Sequence, residues 1–399
     1  MGTRVATMAS KLILSIFIAR FLGFEILGIY GMVAGAAALV PVFLRFGIMN
    51  SICRDAVSDT PNMLATNLGN YAKLMAALYV AIFTIAAIFG LATENFMFSV
   101  LIVGVFAAEH IAQDLYNLAN SLRMPRRANF IIFASSGLWS LAYMTTAYLF
   151  EPARSVEAVL LFWLAGMVPA ISSALHFLLP LPWRETTHGS QRISTWFFEK
   201  FQKAQMLFIG ECANNASFYL DRYLIAIFLD LKTAGMYILF WQVGSAVYNL
   251  VNAGSIQFFS PLLIAAHDQK DEPAYEKAFR ACIIWTSSEA TIIAILAAIA
   301  FPYILPLTGN PEAMAFLWLL YLVLLGQITR ITSDVIGLRL HTRRKDKRMM
   351  ASYVVLCVLT AAFTFPGIQM LGAYGAALAT SVTYVCISLL RWRLGKQSK

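Results

Sequence analysis

Apolar runs of about 20 residues recur along the whole chain, divided by short polar connectors. A helix of that length crosses about 30 Å of hydrocarbon. Twelve runs are legible, at 4–22, 28–50, 71–92, 96–121, 129–150, 157–180, 204–229, 234–265, 280–307, 313–338, 350–369 and 371–391. Lys and Arg test this pattern independently, because they collect in cytoplasmic loops. With a cytoplasmic N-terminus, Arg4, Lys11, Arg45, Arg54, the group Arg123, Arg126 and Arg127, the connector's Arg184, the group Arg339, Arg343 and Arg344, and Arg391 to Lys399 all fall at inner ends. The outer ends hold only Arg20, Arg154 and Lys232. Adding or deleting one span breaks the alternation, so the chain is expected to be an all-α integral membrane protein of about 12 transmembrane helices with both termini cytoplasmic.

Composition agrees: 59% of the 399 residues are hydrophobic and 13% charged, against about 25% charged in water-soluble domains. The net charge of +9 is therefore chiefly a topology signal. No nucleic-acid motif accompanies it, and nucleic acid is not expected as a partner. The first run is long enough to span and is expected as an uncleaved helix rather than a signal peptide. Five scattered cysteines, with no C-x-x-C and no histidine at ligand spacing, support neither a disulfide framework nor a metal site.

The longest basic and polar connector, at 181–203, divides the runs six and six. This predicts an N-terminal six-helix bundle over 1–180, a cytoplasmic connector over 181–203 and a C-terminal six-helix bundle over 204–399. Two echoes link the halves. ARFLGFEILGIY at 19–30 and AIFLDLKTAGMY at 226–237 share A-x-x-L-x5-G-x-Y, and SLRMPRR at 121–127 matches GLRLHTRR at 337–344. Duplication of a unit with an even number of helices relates the copies by a pseudo-twofold axis along the membrane normal. In the first echo Gly is expected to allow close helix approach, and Tyr to sit at the membrane interface.

Ionisable groups inside a span cost at least about 2.5–3.5 kcal/mol each at its centre and mark functional candidates. In AEHIAQDLYNLANS, His110, Gln113, Asp114, Asn117 and Ser121 lie on one helical face with Glu109 beside it. In GECANNASFYLDRY, Glu211, Asn214, Asn215 and Arg222 share a face, whereas Asp221 and Arg222, being neighbours, are expected to point about 100° apart. Arg330 and Asp334 have the spacing of an intrahelical ion pair, with Gln327 one turn earlier. Gln242, Ser245, Asn249 and Asn252 follow one another at helical spacing, Glu289 and Lys11 sit in their own runs, and Arg20 closes the first run. The substrate-binding candidates are Lys11, Arg20, His110, Gln113, Asn117, Asn214, Asn215, Arg222, Gln242, Asn249 and Arg330. The ion-coupling candidates are Glu109, Asp114, Glu211, Glu289 and Asp334. On this reading embedded acids outnumber embedded bases.

Three pieces carry a family resemblance: ARFLGFEILGIYG at 19–31, DRYLIAIFLDLKTAGMY at 221–237 and LGAYGAALAT at 371–380. They resemble the oligosaccharide flippase family of the multidrug/oligosaccharidyl-lipid/polysaccharide exporter superfamily. The resemblance implies a non-enzymatic secondary transporter of the bacterial cytoplasmic membrane. It would flip a polyprenyl-diphosphate-linked oligosaccharide to the outer leaflet by alternating access, with membrane lipids and other polysaccharide-assembly proteins as partners. No cofactor is called for beyond a coupling ion, proton or sodium. Two rivals remain open: a cation-coupled multidrug antiporter of the same superfamily, which the acidic excess favours, and a membrane glycan polymerase or ligase, which short outer connectors such as TEN at 93–95 disfavour.

Overall fold

A computed structural model describes residues 2–183 and 192–396; residues 184–191 of the expected connector, including Arg184, and Lys399 lie outside the described residues. All regular structure among the described residues is helical. The helices are α1 (Gly2–Phe21), α2 (Phe24–Leu44), the short α3 (Ile48–Asp55), α4 (Pro61–Ala92), α5 (Phe96–Ser121), α6 (Pro125–Phe133), α7 (Trp139–Leu149), α8 (Val156–Leu178) and α9 (Ile193–Phe228). They continue with α10 (Leu231–Val251), α11 (Gln257–Asp268), α12 (Glu272–Ile304), the one-turn α13 (Glu312–Ala315), α14 (Leu317–Thr342), α15 (Asp346–Leu371) and α16 (Ala373–Lys396). Single π-helical turns at Ala134–Leu138 and Asn252–Ile256 weld α6 to α7 and α10 to α11. With each welded pair counted as one rod, the twelve expected spans are all present as long helices.

Ten of these are long and apolar enough to cross a membrane. The other two, α1 and α9, have 20 and 36 residues. Helix starts follow local chemistry: Thr60, Ser155, Asp230 and Asp271 each accept a first-turn amide at the head of α4, α8, α10 and α12, satisfying donors that a helix N-terminus otherwise leaves unpaired. The α5–α6 and α14–α15 turns are alike. Arg123 and Arg344 take positive φ (58° and 54°), and the following amide reaches back to Ala119 O and Leu340 O at 2.8 and 2.9 Å, closing both helices with the same left-handed cap. The second sequence echo aligned Arg123 with Arg339; in turn geometry its counterpart is Arg344.

Helix starts differ most from expectation at α4, α9 and α12, the last beginning at Glu272 rather than 280. α4 begins at Pro61 rather than 71, after its Thr60 cap. Residues 193–203, expected in the connector, form the first turns of α9. They read as polar in the sequence, yet Trp196 Nε1 donates to Asn67 Oδ1 (3.0 Å), Lys200 pairs with Asp55 (2.8 Å), and Phe197 and Phe201 pack on Phe46. Helical spacing puts these partners on one side, and packing rather than hydropathy keeps the segment helical.

The chain divides into two compact units. The N-terminal unit holds residues 2–14 and 33–208, and the C-terminal unit holds 15–32 and 209–399. Within the N-terminal unit α5 packs on α4, α6 and α8; within the C-terminal unit α14 packs on α10, α12 and α16. The helices that precede the two like turns are thus the central ones. Outer faces are apolar: on α4, Val80, Ile85, Ile88, Phe89 and Leu91 are exposed, a stripe suited to lipid.

The repeated connector finds its explanation inside the C-terminal unit. Gly28 of α2 and Gly235 of α10 face each other, so that a Cβ on Gly28 would meet Leu231 O and a Cβ on Gly235 would meet Phe24 O. Only hydrogen fits at this backbone crossing. The motif tyrosines are packed inside the unit: Tyr30 and Tyr237 are 3% and 1% exposed. Tyr237 Oη donates to Asp221 Oδ2 at 2.5 Å, which supplies the partner a buried hydroxyl needs.

Candidate functional site

In the N-terminal unit, α4 presents Tyr71 and Tyr79 to the polar face of α5. Tyr71 Oη donates to Asp114 Oδ2 (2.5 Å) and lies 3.0 Å from His110 Nε2, while Tyr79 Oη lies 2.9 Å from His110 Nδ1. Arg45, just past α2, approaches Asp114 Oδ1 at 3.8 Å and donates to Gln113 Oε1 at 3.1 Å. His110, Asp114 and Arg45 are 1%, 6% and 6% exposed. The sequence placed Arg45 among the cytoplasmic loop charges, but it is buried, held by its bond to Pro41 O (3.2 Å) and by the carboxylate. One face further round, Glu109 accepts from Trp163 Nε1 at 2.8 Å and interacts electrostatically with Lys11. Trp163 is itself stacked on Trp139, with centroids 5.2 Å apart.

In the C-terminal unit, Asp334 is the hub. Arg391 Nη1 donates to its Oδ1 at 3.0 Å, Tyr248 Oη donates to its Oδ2 at 3.2 Å, and Arg330 Nε stands off at 3.9 Å. The expected Arg330–Asp334 pair is therefore the looser contact. Arg391, counted in the sequence as a cytoplasmic charge, is fully buried and also bonds Ser333 and Ser352. Arg330 is instead clasped by ring faces, with its guanidinium 3.8 Å from the Phe218 centroid and 4.0 Å from that of Tyr248. Arg222 lies 3.4 Å over Trp241 and 5.5 Å from Phe218. Asp221 and Arg222 do not diverge as expected: Arg222 Nε comes within 3.8 Å of Asp221 Oδ1, and both residues are buried. The side-chain torsions overcome the 100° between their Cα–Cβ directions.

Asp221, Tyr237, Trp241, Gln327, Arg330 and Tyr384 line a pocket with about 20 Å³ open to water, room for about one molecule. Beside it, Arg222 Nε and Gln327 Oε1 have no hydrogen-bond partner among the described residues. These groups favour a polar occupant, because an unmatched buried donor or acceptor costs about 1–3 kcal/mol.

The remaining candidates are dispersed. Glu289 on α12 accepts from Ser255 in the π turn. Asn215 and Asn249 donate back to Glu211 O and Ser245 O of their own helices, which satisfies their amides locally. Asn117, Asn214, Glu211 and Gln242 are half-buried, and Arg20 is exposed at the end of α1 over Phe21. Tyr71, Tyr79, Tyr248, Arg45 and Arg391 were not among the site candidates read from the sequence, and Tyr237 was read only as a motif residue. The tyrosines read as apolar, and the two arginines lie at run ends. Burial of Arg45 and Arg391 narrows the apparent excess of embedded acids.

No protein-family model and no curated protein matches the chain. Solved structures do. A multidrug resistance MATE family transporter of the MOP superfamily, inward-facing, aligns with a TM-score of 0.77 at 11% identity over 98% of this chain and 94% of that one. The lipid II flippase MurJ, inward closed, gives 0.72 at 14% identity over 99% and 87%. An outward-facing MATE family transporter gives 0.66 at 10% over 99% and 93%. At such identities the likeness speaks for the fold alone: the chain has the all-helical membrane fold of the MATE multidrug transporters and the lipid II flippase.

Proposed function

We propose that the chain is a secondary transporter that moves a polyprenyl-diphosphate-linked oligosaccharide from the inner to the outer leaflet of the bacterial cytoplasmic membrane, for surface polysaccharide synthesis, by alternating access. The observation that carries this reading is the cationic and aromatic surface of the C-terminal unit. Arg391 already satisfies Asp334, so Arg330 keeps donors for an anion, and the fork of a guanidinium matches phosphate oxygens. Trp241 and Tyr384 line the same pocket, which holds about one water in this structure, so sugars reach their rings only when the site opens. The solved neighbours are transporters and a flippase, which supports transport rather than covalent chemistry.

Coupling fits the N-terminal unit. Asp114 Oδ1 has no hydrogen-bond donor among the described residues; Arg45 approaches it at 3.8 Å, while Tyr71 and His110 lie at Oδ2. A proton or sodium ion taken up there neutralises the carboxylate and loosens Arg45 and Tyr71. Such uptake shifts the balance of access states only if the ion binds one of them better. Glu109, Glu211, Glu289 and Asp334 are the further candidates for this role.

The test is leaflet-resolved movement of a diphosphate-linked glycolipid by the purified protein in proteoliposomes, with and without proton and sodium gradients. Protein-dependent, gradient-sensitive translocation is expected. A second reading, a cation-coupled multidrug antiporter, is favoured by the likeness to MATE multidrug transporters. Organic-cation export without glycolipid movement, by folded protein, replaces the first reading with the second.

A further inference from the structure

The two basic clusters beside the like turns have opposite fates. Around the α14–α15 turn, Arg339 and Arg343 pair with Glu276 and Glu272, and Arg344 pairs with Asp268 at 3.1 Å. Carboxylates of α11 and α12 neutralise that end of the C-terminal unit. After the α5–α6 turn no such neutralisation exists. Arg126 and Arg127 open α6 with no acidic partner among the described residues, and Arg127 only lies over the Phe177 ring at 5.7 Å.

These two arginines form one wall of an open groove of about 620 Å³ between α6 and the last turns of α8. The opposite wall gives His176 and the exposed hydroxyl of Ser172, and the floor gives Phe130 and Pro169. Exposed apolar side chains flank the groove: Phe130 is 45% exposed, Leu175 50% and Val168 63%. A cationic and hydroxylated head with an apolar flank has the polarity profile of one lipid molecule. Positive-inside bias places this end of α6 and α8 at the cytoplasmic leaflet.

We infer that the α6–α8 groove is a binding site for the phosphodiester headgroup of an anionic glycerophospholipid of the inner leaflet. Its phosphate oxygens accept from Arg126 and Arg127, with Ser172 and His176 on the headgroup's far side and acyl chains along Leu175 and Val168. Two features separate it from a port for the proposed substrate. It lies wholly in the N-terminal unit, and neither Trp nor Tyr lines it, so nothing there offers a tyrosine or tryptophan face to sugar rings. The site stands independently of the transport reading.

Native mass spectrometry of the full-length protein, titrated with phosphatidylglycerol or phosphatidylcholine in detergent, measures the affinity directly. Phosphatidylglycerol is expected to bind more tightly, and R126Q/R127Q to weaken it about 30-fold, since each basic residue near anionic lipid contributes about 1 kcal/mol. R123Q, outside the groove, should change the affinity less than about twofold. Ser172→Trp puts an indole into the headgroup end of the groove with no change of charge and should also abolish the preference. The inference is overturned if the wild type shows no preference, if R123Q weakens binding as much as R126Q or R127Q does, or if Ser172→Trp leaves it intact, since each means diffuse attraction. Displacement by millimolar inorganic phosphate, or tighter binding of a polyprenyl diphosphate in the same groove, also overturns the assignment to a phospholipid.

Discussion

Arg391→Leu tests whether the hub of the C-terminal unit is one coupled charge system. Arg391 is fully buried, and its guanidinium bonds Ser333 O at 3.0 Å, Ser333 Oγ at 3.1 Å and Asp334 Oδ1 at 3.0 Å. Leucine keeps apolar bulk beside Gly337, where an added Cβ would lie 3.2 Å from Arg391 Cδ, but leaves Asp334 with Tyr248 and the looser Arg330 at 3.9 Å. Breaking a buried pair costs about 3–5 kcal/mol. Asp334 keeps 27% of its side chain exposed and retains Tyr248, so the lower figure, about 3 kcal/mol, applies. Asp334→Asn strands the arginine instead, at a similar cost of about 3 kcal/mol. With the pair already broken, removing the second charge adds little, and the double variant should lose about 3 kcal/mol rather than 6, a coupling of about 3 kcal/mol. Unfolding of the purified protein by sodium dodecyl sulfate titrated into dodecyl maltoside, followed by tryptophan fluorescence, gives the three free energies. Additivity within about 0.5 kcal/mol refutes the reasoning.

Gly235→Ala should destabilise the C-terminal unit by about 1–3 kcal/mol through overpacking at the α2–α10 crossing. Adding Gly28→Ala should cost less than its single effect, because both act on one contact; the same unfolding titration reads this. Asp114→Asn should cut gradient-stimulated translocation at least about tenfold while leaving gradient-independent exchange measurable; an unchanged gradient response removes Asp114 from coupling. Asp271→Ala deletes the α12 cap, whose carboxylate accepts Ala274 N at 2.9 Å, and should cost about 1 kcal/mol, seen also as faster amide exchange in the first turn of α12. Trp163→Phe removes the donor to Glu109 but keeps a ring beside Trp139, and should cost about 1.5–3 kcal/mol.

The number and order of the long helices follow from the sequence alone, because hydrocarbon thickness and the siting of Lys and Arg constrain every span at once. So does the central place of His110, Asp114, Arg330 and Asp334, since an ionisable group in an apolar run has few alternatives to a polar partner. The repeated Gly was equally visible, though not that its two copies touch each other. The tertiary structure alone decided which groups pair. Asp334 chooses Arg391, far along the chain, over Arg330 one helical turn away, and Arg45 turns inward to Asp114. It also converted Tyr71, Tyr79 and Tyr248 from apolar filler, and Tyr237 from a motif residue, into hydroxyl partners, and kept residues 193–203 helical against their polar composition. Hydropathy sums over a window, whereas a hydrogen bond depends on where two side chains meet, and that position is set by helix packing between segments remote in sequence.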